Sequence, residues 1–293
     1  MLLQEKMQRT AFSANEQAIV DFMLQQQDQL KVYGTPQLAQ ATYTSPSVVV
    51  RVAKKLGFSG WRALKASFLA EVEYLQTNFK NLDANQPFTA QDPLMTVAGK
   101  VTQLEIESAN DTLALLDHDR LLAARQILLN AQSINVFGLA NLLFSADEFV
   151  YKMRHLGKQA QTFPIQNMMF QEAAMLGPAD CAIVMSYSGE SDPLFTVTDI
   201  LQQRQVPIIA LTSIGENRLS RLADVTLKVT TRENSYRKIA SFASLTSMRL
   251  ILDILYSSYF ASNYEQNMQF KVDLGTLTEK RPLDNHIIDD DLD

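Results

Sequence analysis

Three serine hydroxyls in six residues, Ser186-Tyr187-Ser188-Gly189-Glu190-Ser191, form the group in this 293-residue chain best suited to hold an anion. The serines take the first, third and sixth places around a single glycine. Cys181-Ala182-Ile183-Val184-Met185, just before them, predicts a buried strand, and the spacing over 191–204 predicts a helix. A helix N-terminus offers unpaired N–H groups and the positive end of the helix dipole. Hydroxyls placed there, with Gly189 admitting close backbone approach, form a phosphate cradle that requires no lysine. Glu190 is either a helix N-terminal charge or an acceptor for ligand hydroxyls. A plain turn in which Ser191 only caps the helix would have the same residues.

A second stretch carries positive charge. Thr35 to Phe58 reads as two short helices joined by a tight turn, with Pro36 early in the first and Ser45 capping the second. In the second, Val49, Val52, Ala53 and Leu56 recur at i, i+3, i+4 and i+7 and are expected to face a core. Val48, Arg51 and Lys55 are expected to point outward together, flanked by Ser47 and Lys54. Five cations and no anion lie between Ser45 and Lys65. Such a helix fits a DNA groove: serines and free N–H groups meet phosphates, Arg51 a guanine edge or a phosphate, and Val48 a thymine methyl. The expected DNA contacts are Thr35, Ser45, Ser47, Val48, Arg51, Lys54 and Lys55. The bland alternative is a surface helix with solvated lysines. The net charge of −6 does not oppose DNA binding, because the first 75 residues hold eight Lys/Arg against six Asp/Glu. Phosphate contact depends on the local field.

The elements that must position these groups differ between the two ends of the chain. The first 76 residues read as all-helical, with Ser13 and Glu16 spaced as a capping box. Asn- and Pro-rich residues up to about 92 suggest a linker, followed by helical spacing at Val97, Val101 and Leu104, then at Leu121, Leu122, Ile127 and Leu128. After Ser133, apolar strands at 134–138, 181–186, 207–212 and 225–229 alternate with helices. That order predicts an α/β fold, a doubly wound parallel sheet covered on both faces. A last helix is expected over 239–262, and Asp289 to Asp293 form an acidic tail.

Other chemistry is sparse. The single cysteine, Cys181, excludes an internal disulfide, and no apolar run approaches the roughly 18–20 residues of a membrane helix. The start of the chain lacks a signal-peptide pattern, so a cytoplasmic protein is expected. His118, His155 and His286 are scattered, so no metal site and no cofactor is expected. For an isomerase or lyase, the candidate bases are Glu190 and Glu233. Glu233 and Arg237 could equally form a surface ion pair.

The run from Ser45-Pro46-Ser47-Val48-Val49-Val50-Arg51 to Leu56-Gly57-Phe58-Ser59-Gly60-Trp61-Arg62 resembles the N-terminal domain of RpiR-family bacterial transcriptional regulators. The serine hexapeptide, with Gly138 before it and Leu222-Ala223-Asp224 after it, resembles the SIS (sugar isomerase) domain that completes those regulators. The resemblance implies a helix-turn-helix domain over 1–76, a helical connection over 77–129, a SIS domain over 130–264 and an extension over 265–293. It implies a non-enzymatic regulator of sugar metabolism genes, a homodimer or homotetramer on a double-stranded DNA operator. A sugar phosphate would be held by Gly138, Asn141, Ser186, Ser188, Gly189, Glu190 and Ser191. One departure stands out. The family's first loop runs Gly-x-Gly-x-Ser, whereas this chain has Gly138-Leu139-Ala140-Asn141-Leu142. Asn141 or Ser145 is then the available polar substitute, and a degenerate, non-sensing SIS domain is the competing reading.

Overall fold

The computed structural model describes residues 3–78 and 82–278; the expected acidic tail lies outside the described residues. In the head, helical apolar spacing becomes five α-helices: α1 (Leu3–Arg9), α2 (Ala14–Gln26), α3 (Thr35–Ala41), α4 (Pro46–Lys55) and α5 (Trp61–Asn78). A 3₁₀ segment, Gln27–Val32, links α2 to α3. Ile19, Met23, Leu38, Val49, Val52 and Phe68 close one core with no exposed surface. The end of α4 has a physical stop: Gly57 takes φ +93°, Phe58 N–H donates to Ala53 O at 2.9 Å, and Gly57 N–H to Lys54 O at 3.0 Å. These bonds satisfy carbonyls the helix leaves open. Glu71 on α5 accepts the backbone N–H groups of Leu3 and Gln4, so α1, absent from the sequence reading, is held by its N-terminus.

The body is a five-stranded parallel sheet, β1 (Ser133–Phe137), β2 (Gln159–Thr162), β3 (Cys181–Ser186), β4 (Ile208–Ser213) and β5 (Val225–Val229), in the order β2-β1-β3-β4-β5. Alternate strand residues serve opposite faces. Val136, Ile183, Met185 and Leu211 pack with α8 (Leu142–Arg154) and α12 (Phe242–Ala261). Phe137, Ala182, Val184 and Ala210 pack with α9 (Gln166–Met175) and α10 (Asp192–Gln203). Both faces are therefore dry, as the near-continuous apolar strands require. The edge strand β2 escapes sequence reading because only Ala160 of its four residues is buried. A short helix, α11 (Arg218–Leu222), follows β4.

The connection is part of the body. Of its two helices, α6 (Leu94–Leu115) packs along α12, and α7 (His118–Asn130) along β5. The buried face of α6 is polar: Thr112 Oγ1 donates to Ser247 Oγ at 2.7 Å, and Asp111 pairs with Arg232. Beyond α12 the chain adds α13 (Tyr264–Thr278), which buries none of its residues. Among the described residues no helix is long and apolar enough to cross a membrane.

Candidate functional site

Helix α8 leaves β1 over one face of the sheet, and α10 leaves β3 over the other. Where neighbouring strands send their helices to opposite faces, a crevice opens outside their carboxyl ends. Here that crevice is a cleft of about 310 Å³. Asn141 and Leu142 line it from the β1 side, and Ser186, Ser188 and Ser191 from the β3 side. Ser235, Lys238, Ser241 and Ser244 close it from the β5–α12 connection.

The serine turn is braced from within. Ser186 Oγ accepts Gly189 N–H and Ser188 Oγ accepts Glu190 N–H, each at 3.2 Å, so both hydroxyls keep their own protons to donate. Ser191 takes the N-cap position of α10 without a capping hydrogen bond, which leaves its hydroxyl to the cleft. Asn141, at the N-cap of α8, is uncommitted in the same way. Gly138 and Gly189 belong to the two turns that frame the cleft, and Gly189 has φ +64°. Glu190 is directed elsewhere. Its carboxylate accepts Arg218 N–H at 3.0 Å, at the start of α11, and it does not line the cleft. Ser145 does not line it either.

The opposite wall was missed in sequence. Glu233 does not pair with Arg237 on the surface. It is buried and accepts Ala243 N–H at 2.6 Å, Ser244 N–H at 3.2 Å and Ser244 O–H at 2.6 Å, so its carboxylate closes the N-terminus of α12. It also holds Lys238 Nζ at 3.0 Å. The cradle thus does carry a lysine, its ammonium fixed by Glu233 and set 5.2 Å from the Tyr187 ring centroid. Tyr187 ties the two walls together: its hydroxyl donates to Glu233 O at 2.8 Å and accepts Glu233 N–H at 3.0 Å. Asn85 of the connection pins the same loop, accepting Asn234 N–H on Oδ1 at 2.6 Å and Ile239 N–H on its carbonyl at 2.8 Å. No local pattern marks Lys238; only its place in the loop after β5 would have suggested it.

The first loop shows what its departure means. Ala140 adopts φ +52°, the left-handed region where a Cβ costs about 1–2 kcal/mol. Glycine would remove that strain at an entropic cost of roughly 0.5–1 kcal/mol. Ala140→Gly is therefore expected to raise stability by up to about 1 kcal/mol, as read by urea unfolding. Leu142, half-buried, gives the cleft an apolar patch where a serine would give a hydroxyl.

In the head, the turn between α3 and α4 sets Tyr43 at φ +54° with its side chain in solvent. Thr35 opens α3 half-buried, and Ser45 and Ser47 are exposed. Ser45 sits at the N-cap of α4, but its hydroxyl pairs with Ser47 Oγ at 2.8 Å instead of capping. The outward position expected for Val48 is wrong. Val48 is 7% exposed and packs in the head core, because α2 and α3 close on α4 from two sides and widen its buried stripe. Val50 takes the exposed place beside Ser47, Arg51 and Lys54. The anion-free stretch also receives an anion from outside. Glu16 of α2 pairs with Arg51 Nε and Lys55 Nζ, both at 3.0 Å. The Ser13 backbone N–H and the Lys55 ammonium hold its carboxyl down to about 2. Lys65 is spent on the carbonyls of Lys31 and Tyr33, at 2.7 and 2.9 Å.

A family model for the helix-turn-helix domain of the rpiR family matches residues 1–74, and the SIS domain model matches residues 127–258. The chain belongs to the RpiR family. Solved structures share the fold of this RpiR-family chain. The Vibrio vulnificus NanR protein, in complex with ManNAc-6P, is 21% identical with a TM-score of 0.61, over 95% of this chain and 100% of that one. The sugar isomerase domain of an RpiR transcription factor from Sphaerobacter thermophilus is 19% identical with a TM-score of 0.55, over 61% of this chain and 98% of that one. A putative sugar-phosphate isomerase from Listeria monocytogenes is 14% identical with a TM-score of 0.55, over 62% and 98%. The likeness to NanR extends over head and body together.

Proposed function

We propose that this RpiR-family regulator binds a DNA operator through α4 and changes its affinity when a sugar phosphate enters the cleft between β1 and β3. The observation that carries the ligand half is the composition of the cleft. Serine hydroxyls from both walls converge with one ammonium, Lys238, and among the described residues no Asp, Glu or His lines it. Such a lining suits a dianion. It offers no uncommitted base for ketose–aldose chemistry, since Glu190 and Glu233 are both engaged elsewhere, which supports a sensor over an isomerase. The regulator acts as a homodimer or homotetramer, because a palindromic operator needs two heads about 34 Å apart or a multiple of that. Phe144 and Tyr151, exposed seven residues apart on α8, supply apolar surface for self-association.

The test is a thermal-shift panel of sugar phosphates and their unphosphorylated counterparts. ManNAc-6P, the compound bound to the NanR neighbour, comes first. A ligand at a hundred times its Kd stabilises the native state by about 2.7 kcal/mol. Phosphorylated compounds are expected to raise the melting temperature and to shift operator affinity. Ser188→Ala is expected to weaken that binding by about 1.5–3 kcal/mol, the value of a charge-assisted hydrogen bond. A panel without effect on melting or on operator affinity would leave the SIS domain as an assembly scaffold only.

A further inference from the structure

We infer that Glu16 is a positioning residue for DNA reading: it grips Arg51 by one edge, aims the other edge outward, and so sets the head's preference for its operator over other DNA. The inference rests on the reading that the head binds DNA through α4. Glu16 lies in the first turn of α2, with its side chain 6% exposed, directly behind the outer face of α4. Its Oε1 receives Arg51 Nε at 3.0 Å, while its Oε2 receives Ser13 N–H at 2.9 Å and Lys55 Nζ at 3.0 Å. Arg51 gives nothing else to the protein: its side chain is 61% exposed, and Nε makes its one protein bond among the described residues. The Nη1 and Nη2 pair is left to face solvent. That pair is the fork that meets a guanine O6 and N7 end-on.

Lys55 is fixed by the same carboxylate and by the Phe12 ring, 5.1 Å from its ammonium. Among the described residues, Lys54 is the one α4 cation of three without a carboxylate partner. A buried anion behind the reading face lowers the head's attraction for phosphate in general, since it offsets one cation near the DNA. It also spares Arg51 the rotamer freedom it would otherwise lose on binding, since the side chain is already held. General affinity is thus reduced and directed affinity is kept. An ion pair that served stability alone would affect both equally.

The experiment uses the full chain and a duplex selected by the wild-type protein from a random pool, with an unselected duplex as reference. Affinity for each is followed across a salt titration. Glu16→Gln keeps the size of the side chain and an oxygen for the Ser13 N–H. It is expected to weaken binding to the selected duplex by roughly tenfold, within the range of one bidentate base contact. Binding to the unselected duplex is expected to hold or tighten, with a steeper salt dependence. In an Arg51→Ala background, Glu16→Gln is expected to cause no further loss of preference. An unchanged preference in Glu16→Gln overturns the inference, and so does a parallel fall on both duplexes. If the wild-type protein selects no duplex, the DNA reading of α4 itself fails. Arg51→Lys guards against misfolding of the Glu16 variant: it keeps the charge and discards the fork, and must lose preference while general affinity stays.

Discussion

Replacing Arg232 by alanine is expected to destabilise the α/β body by about 3–5 kcal/mol, the cost of leaving a buried carboxylate without its cation. The Arg232 side chain has no exposure. It meets Asp111 at 2.5 Å and Glu107 at 2.6 Å, with the Asp111 side chain only 3% exposed. Burial already raises the Asp111 carboxyl above its usual range with the arginine present. Without the arginine the protonated form is favoured further, so the folded-state value rises above the unfolded one, about 3.9. The sign follows: the penalty is full at neutral pH and shrinks as pH falls toward the unfolded value. Urea unfolding at neutral and mildly acidic pH checks both statements. A loss under about 1 kcal/mol would make the cluster an ordinary solvated ion pair.

Gly189→Ala is expected to cost on the order of 2–4 kcal/mol and to abolish phosphate-induced stabilisation. Two effects add. The left-handed φ of +64° charges a Cβ about 1–2 kcal/mol. The new methyl would also overlap the amide of Asn217, which is not a loose chain end. Asn217 Nδ2 donates to Thr212 Oγ1 and Oδ1 accepts Ser220 N–H, both at 2.9 Å. Displacing it breaks bonds worth about 0.5–1.5 kcal/mol each. In an Asn217→Ala background the overlap disappears, and the cost of Gly189→Ala is expected to fall to the backbone strain of about 1–2 kcal/mol. Equal costs in the two backgrounds would show that Asn217 does not hold the turn.

What could be read in advance was what chain neighbours determine. The buried strands β3 and β4 were legible as apolar runs, and Leu56-Gly57-Phe58 as a helix stop. The sheet's parallel order was legible from strand–helix alternation. Four elements were not: β2 is a polar edge strand, α1 is held by Glu71, 67 positions beyond Gln4, and α11 and α13 bury little surface. Half of the cleft was visible because its serines share one turn. The other half was hidden because Glu233 meets Tyr187 across 46 positions of sequence. Glu16 meets Arg51 across 35. Periodicity holds no information about partners so far apart. Val48 failed for a related reason: a helical wheel ranks faces by apolarity but not by how many neighbours press on them.

The hydrogen bonds of Asn85 have a mechanical meaning for a two-part molecule. Asn85 lies on the path from head to body and is bound to Asn234 and Ile239, which bracket the segment that brings Ser235 and Lys238 to the cleft. A little farther along the same path, Glu107 and Asp111 grip Arg232. The body end of the head's tether is thus anchored on the wall that brings Lys238 to the cleft. In the proposed regulator, a ligand that displaced that wall would displace the anchor with it. In the proposed homo-oligomer, two such heads on one operator would read a distance, and a small shift at each anchor would alter the spacing between them.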